Sequence, residues 1–244
     1  MKKLSVIVLA LLIFLSVCKH NEKKKKKKLF RVFDHKQVIY KKIGNIELKL
    51  HIFEPSKRRS KLVSAIVFFH GGGGYPKAFY PQAKYFAERG MLAISAQYKR
   101  VPGGVEQSIK NGKSAIRWVR THSNKLGVNP DRIVAAGGSR GGFIALSTGT
   151  IRGCQEKGED TEVSSVPNAM VLFCPVLSNP EPNLSPLAQV KSDLPPTIIM
   201  HGEKDNKVPH SIKEAKQFTK LMKESGSVCK LYSFEGQGHG LHNY

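Results

Sequence analysis

From residue 63 to residue 234, short apolar runs alternate with helix-like stretches, and this alternation limits the possible folds more than any other feature. The runs 63–69, 91–96, 133–136, 169–174, 197–200 and 229–234 have strand length. Those at 63–69 and 91–96 are apolar almost throughout, as strands covered on both faces must be. Between the runs lie helical patterns over 80–88, 105–121, 142–150 and 211–224. The second carries Ile109, Ala115, Ile116, Trp118 and Val119 on a helical period, and the first stops at Gly90. Asn129-Pro130-Asp131 reads as a turn. Strand and helix in alternation predict a mostly parallel sheet with helices on both faces. Upstream, 37–43 and 46–53 flank Gly44-Asn45 and predict an antiparallel hairpin at one edge.

Ligands of such sheets bind beyond the carboxyl ends of the strands, so motifs that follow strands carry the functional signal. Gly137-Gly138-Ser139-Arg140-Gly141-Gly142 follows the run 133–136 and opens a helix. This is the G-x-S-x-G pattern in its strand–turn–helix context, where small neighbours allow a sharp turn that lifts a serine hydroxyl above the sheet. Taken alone, the motif is equally a glycine-rich strand–helix turn that binds phosphate or nothing. His70-Gly71-Gly72-Gly73-Gly74 follows the run 63–69, and its glycines let backbone N–H groups approach a reacting oxygen. His201-Gly202-Glu203-Lys204-Asp205 follows 197–200, and Gly238-His239-Gly240 follows the last run. A serine hydroxyl is a weak nucleophile until a base takes its proton, and the base needs a carboxylate to hold its tautomer. Ser139, Asp205 and His239 supply these three groups in the chain order this arrangement uses. His242 competes with His239, Glu203 competes with Asp205, and His70 and His201 read as structural residues that hydrogen-bond their loops.

With these motifs in view the chain resembles the esterase/lipase branch of the α/β-hydrolases, near the hormone-sensitive-lipase-like enzymes and the bacterial acetyl and feruloyl esterases. The resemblance runs from about residue 37 to the C-terminus and takes in Val128-Asn129-Pro130-Asp131-Arg132-Ile133 and Pro195-Pro196-Thr197. It implies the α/β-hydrolase fold and a serine carboxylic ester hydrolase working through an acyl-enzyme, with no cofactor and no metal. Gly72, Gly73 and Arg140 would supply the oxyanion N–H groups. Short acyl, acetyl or acyl-sugar esters are the expected substrates, because 152–168 and 176–194 are the only long loops expected near the site. Tyr75, Pro76, Tyr80, Tyr98 and Leu241 are candidate pocket walls. Two departures stand out. Arg140 occupies a position that is usually small, and the C-terminal helix common in the branch has no counterpart after His239. Two other readings stay open: a peptidase of the prolyl-oligopeptidase type, whose elbow is similar, and a non-catalytic binding protein of the same fold.

The 244 residues suffice for one domain, expected over 37–244. Lys2 and Lys3 followed by the apolar run 4–17 read as an export signal over 1–18. An uncleaved anchor is the alternative. Leu15-Ser16-Val17-Cys18 also resembles a bacterial lipobox, in which Cys18 would carry lipid, although Val17 departs from it. Residues 19–36 form a basic linker. Of the net charge of +22, the first 28 residues contribute +8, which leaves +14 on residues 29–244. That run could hold the protein near anionic lipid, a peripheral membrane attachment, but no nucleic-acid motif accompanies it. Cys154, Cys174 and Cys229 form no CxxC pair, which argues against zinc or thioredoxin-like sites. One disulfide among them is an open alternative, with Cys174 and Cys229 read as small hydrophobes on strands.

Overall fold

The computed structural model describes residues 34–58, 60–98, 104–207 and 211–241. The segment read as an export signal, the lysine run, Cys18 and His242 lie outside the described residues. Eight strands form one sheet: β1 (Lys36–Ile43), β2 (Ile46–Phe53), β3 (Val63–Phe69), β4 (Leu92–Ala96), β5 (Val128–Gly138), β6 (Ala169–Phe173), β7 (Thr197–Gly202) and β8 (Cys229–Phe234). Their order across the sheet is β1-β2-β4-β3-β5-β6-β7-β8. β1 and β2 pair antiparallel, with Ile43 opposite Ile46 across the expected turn at Gly44-Asn45. β2 also runs antiparallel to β4, and every later pairing is parallel.

Period-two alternation divides the core between the two faces. In β3, Ala65, Val67 and Phe69 face one layer while Ile66 and Phe68 face the other. The first layer is roofed by α2 (Gly104–Thr121), α4 (Arg140–Thr150) and α5 (Ser211–Glu224), through Ile109, Ile116, Ile144, Phe218 and Met222. The second layer packs Ala83, Phe86 and Ala87 of α1 (Tyr80–Glu88) against Phe53, Phe68 and Phe79. A short helical turn, α3 (Ser123–Leu126), ends at Gly127, whose φ is +62°.

Two expectations need correction. Asn129-Pro130-Asp131 is no turn between elements but an interruption inside β5. The pairing with β3 jumps from Val63 opposite Val128 to Ala65 opposite Ile133, and the Asn129 side chain accepts the Asp131 amide at 2.9 Å. Turn chemistry here makes a bulge, which absorbs the proline that a regular ladder would exclude. The segment 152–168 packs along α2 and β1, with Glu156 reaching Lys41 at 2.6 Å and Gln107 at 2.7 Å. It connects the end of α4 to the start of β6, and Arg117 and Arg120 of α2 fasten it through the carbonyls of Val163, Ser164 and Val166. Finally, β1 already begins at Lys36, one residue inside the stretch read as linker.

Candidate active site

Ser139 sits between β5 and α4 with φ 57° and ψ −123°, a conformation a side-chain-bearing residue rarely adopts. Such strain costs on the order of 1–3 kcal/mol and persists only where the surroundings enforce it. Here the Ser139 amide donates to the Phe173 carbonyl at 2.9 Å, and its own carbonyl accepts the amides of Phe143 at 3.1 Å and Val176 at 3.2 Å. The end of β6 and the start of α4 thus hold the turn from both sides. Side-chain bulk is forbidden around it. A Cβ on Gly141 would stand 2.0 Å from the Phe69 carbonyl oxygen and 2.4 Å from that of His70. Ser139 and Arg140 themselves remain partly exposed.

The same contact brings the glycine loop after β3 beside the serine. A Cβ on Gly71 would lie 3.8 Å from the Ser139 Cβ, and one on Gly72 would lie 3.7 Å from the Arg140 Cβ. Around the corresponding point on Gly73 no atom stands within 4 Å. His70 hydrogen-bonds Gly71 O through Nδ1 at 2.9 Å and stacks on Tyr98 at 4.4 Å. The Tyr98 hydroxyl donates to the His70 carbonyl. Tyr98 is therefore a buried support of the loop rather than a pocket wall. Leu241 is buried in the α1-side core, Tyr75 is 66% exposed, and Tyr80 turns toward His51 of β2.

Asp205 follows β7 and His239 follows β8, the neighbouring strand. His239 Nδ1 lies 2.8 Å from Asp205 Oδ2, and Asp205 Oδ1 accepts the Lys207 amide at 2.9 Å. Burial works against the charge on Asp205, but these hydrogen bonds outweigh it and hold the carboxyl below its ordinary value. An ionised partner fixes the His239 proton on Nδ1 and leaves Nε2 as the acceptor. The two loops are laced together. Lys204 donates its amide to Gln237 O at 2.8 Å, and a Cβ on Gly202 would lie 2.4 Å from that same oxygen.

Two residues near this pair were read differently in the sequence. His201 contacts its own loop through Asp205, four residues on. Its Nε2 lies 3.2 Å from Asp205 Oδ2 but out of hydrogen-bonding alignment, and both ring nitrogens are buried with no hydrogen-bond partner among the described residues. Burial pushes its pKa down, with Asp205 pulling partly the other way. Cys174 lies just past β6 with φ 42°, not on the strand. Its Sγ, an Asp205 oxygen and a His239 nitrogen all fall within 4.8 Å of one another, a set that could take a soft divalent cation. The signal for Cys174 was its place at the carboxyl end of a strand. Burial pushes its thiol up to about 12, so at neutral pH it is no thiolate nucleophile. Cys154, Cys174 and Cys229 are all free.

The BD-FAE family model matches residues 50–171. Among solved structures, the chain is similar to Thermogutta terrifontis esterase 2 phosphorylated by paraoxon: 41% identity, 84% of each chain covered, TM-score 0.80. The propionate-bound form of that esterase gives 40% identity, 86% coverage of each chain and a TM-score of 0.81. Esterase LipQ of Mycobacterium tuberculosis is 26% identical over 192 residues, covering 66% of this chain and 45% of LipQ. The non-reducing polyketide synthase stbA of Stachybotrys bisbyi is 26% identical over 192 residues, 69% of this chain and 8% of the synthase. The chain thus spans less than half the length of these two curated relatives.

Proposed function

Since the chain belongs to the BD-FAE family of α/β-hydrolase-type esterases, we propose that it is a serine carboxylic ester hydrolase with Ser139 as nucleophile, His239 as base and Asp205 as the group that orients the base. The observation that carries this reading is the 2.8 Å bond between His239 Nδ1 and Asp205 Oδ2, on the loops after β8 and β7, at the same end of the sheet as a serine held at φ 57° after β5.

In this mechanism His239 Nε2 takes the Ser139 proton as Oγ attacks the ester carbonyl carbon. The carbonyl oxygen becomes an oxyanion facing the N–H groups of Arg140, Gly72 and Gly73. Collapse expels the alcohol, which receives the proton from His239, and leaves an acyl-Ser139 ester. Water, deprotonated by His239, then attacks that ester and releases the carboxylic acid, while the proton returns to Ser139. Asp205 stays ionised throughout.

Short acyl groups are the proposed substrates. The support is that the related esterase 2 was solved with propionate and with butyrate bound. The proposal includes export directed by residues 1–18, for which mass analysis of the mature N-terminus is the check.

The test is hydrolysis of p-nitrophenyl esters from acetyl to decanoyl, with Ser139→Ala beside the parent. Turnover is expected to be highest on short chains and to fall by up to about a millionfold in the variant. A folded parent no faster than Ser139→Ala would remove the proposal.

A further inference from the structure

At the antiparallel edge of the sheet, three side chains that hydrolysis does not use bring their donor atoms together. His35 precedes β1, His51 lies in β2 and Tyr80 is the first residue of α1. His35 Nε2 is 3.0 Å from His51 Nδ1, and the Tyr80 hydroxyl is 2.6 Å from His51 Nδ1 and 3.3 Å from His35 Nε2. The Gln37 carboxamide nitrogen lies 3.4 Å from His35 Nε2. The rings of His35 and His51, His35 and Tyr80, and His51 and Tyr80 are tilted by 42°, 55° and 45°, so the donor atoms meet instead of the ring faces. Phe53, two residues beyond His51 on the same face of β2, stacks on His35 and meets Tyr80 edge-on, each at 5.2 Å. All three donor-bearing residues are partly buried.

We propose that His35, His51 and Tyr80 form a binding site for a divalent transition-metal ion of the zinc class. Tetrahedral zinc holds nitrogen and oxygen donors at about 2.0–2.1 Å, which sets neighbouring donors about 3.3 Å apart. Two of the three separations, 3.0 and 3.3 Å, lie near that edge length, and the 2.6 Å hydrogen bond between Tyr80 and His51 must open by about 0.7 Å to admit the ion. Two imidazoles and a phenol oxygen suit zinc or copper, whereas calcium and magnesium take sets of oxygens. Water, or a reoriented Gln37 carboxamide, completes the coordination. The ion joins the entry of β1, the middle of β2 and the start of α1. The last of these follows the 3-10 turn Pro76–Phe79, whose Pro76 carbonyl accepts the Ser95 hydroxyl at 2.7 Å. Its role is to fasten the sheet edge, separate from the chemistry at Ser139.

The test titrates zinc chloride into the untagged full chain after chelator treatment, by calorimetry and by thermal melting. His35→Gln, His51→Gln, Tyr80→Phe and Asp205→Asn are run beside the parent. The expected result is one zinc ion bound at micromolar Kd or tighter, with Tm raised by roughly 5 °C at hundredfold excess over Kd. Each edge variant should weaken binding at least about tenfold while fluorophosphonate still labels Ser139. Asp205→Asn should bind as the parent does. Tyr80→Phe keeps the ring against Phe53 and serves if a histidine variant fails to fold, with visible d–d absorption of bound cobalt(II) as readout. Zinc affinity unchanged in the edge variants, affinity lost only in Asp205→Asn, or no binding to the parent below millimolar zinc would each overturn the site.

Discussion

His239 Nδ1 and Asp205 Oδ2 meet at 2.8 Å across 34 residues of sequence, with the carboxylate side chain wholly buried and the ring 23% exposed. A charge that is buried, bonded and aimed at one ring nitrogen acts on a tautomer, and this gives the first prediction. Asp205→Asn should fold but lower kcat on p-nitrophenyl acetate by roughly 10⁴-fold, because an amide no longer selects the Nδ1–H form. Steady-state kinetics beside a circular dichroism spectrum check it. A loss below tenfold would assign the orienting role elsewhere.

His201 should make stability depend on pH. Burial lowers its pKa in the folded chain, so as pH falls the unfolded chain takes up the proton first. Its contribution is complete above the ordinary histidine value near 6.5 and shrinks below it. Tm measured from pH 7.5 to pH 5 should fall more steeply for the parent than for His201→Gln. Parallel curves would count against a neutral, buried ring.

Gly141→Ala and Gly73→Ala form a matched pair. The first puts a methyl 2.0 Å from the Phe69 carbonyl, backbone against backbone, and should cost more than about 3 kcal/mol although alanine favours helices. The second meets nothing within 4 Å and should stay within about 0.5 kcal/mol of the parent. Urea denaturation distinguishes them.

Lys113 is 1% exposed on α2, and among the described residues its ammonium makes one hydrogen bond, a 3.4 Å contact to the Arg152 carbonyl. Burial pushes its pKa down to about 8, so holding the charge at pH 7 opposes folding. Lys113→Met should gain about 1–3 kcal/mol at pH 7. The gain should shrink as pH rises toward the unfolded lysine value near 10.4, where both states lose the proton. Denaturant midpoints at pH 7 and pH 10 test the amount and its sign.

The sheet was legible because buried parallel strands leave near-continuous apolar runs. The bounds of β8 and α5 match the reading residue for residue. The site motifs were legible because turns after strands need small residues in fixed places. The interruption in β5 was hidden because Asn129-Pro130-Asp131 has the same chemistry in a bulge as in a turn. Cys174 looked like the last residue of a strand, and its left-handed φ follows only from the pairing of β6 with its neighbours. The meeting of His35 with His51 depends on the register that sets Gln37 opposite His51, a distance relation no local pattern encodes.

The strand order also determines when in its lifetime the chain becomes competent. β3 and β5 lie side by side, so a nascent chain that has released them can set the serine turn against the glycine loop. The basic ring arrives only with the residues after β8, at the opposite edge of the sheet, once β6 and β7 have docked in turn. On the proposed roles, a species stalled before that step would have a nucleophile with nothing to deprotonate it. On that reading the chain would stay inactive during synthesis and refolding until the residues after β8 are in place, and recovered turnover would report the last strand rather than the first hydrophobic collapse.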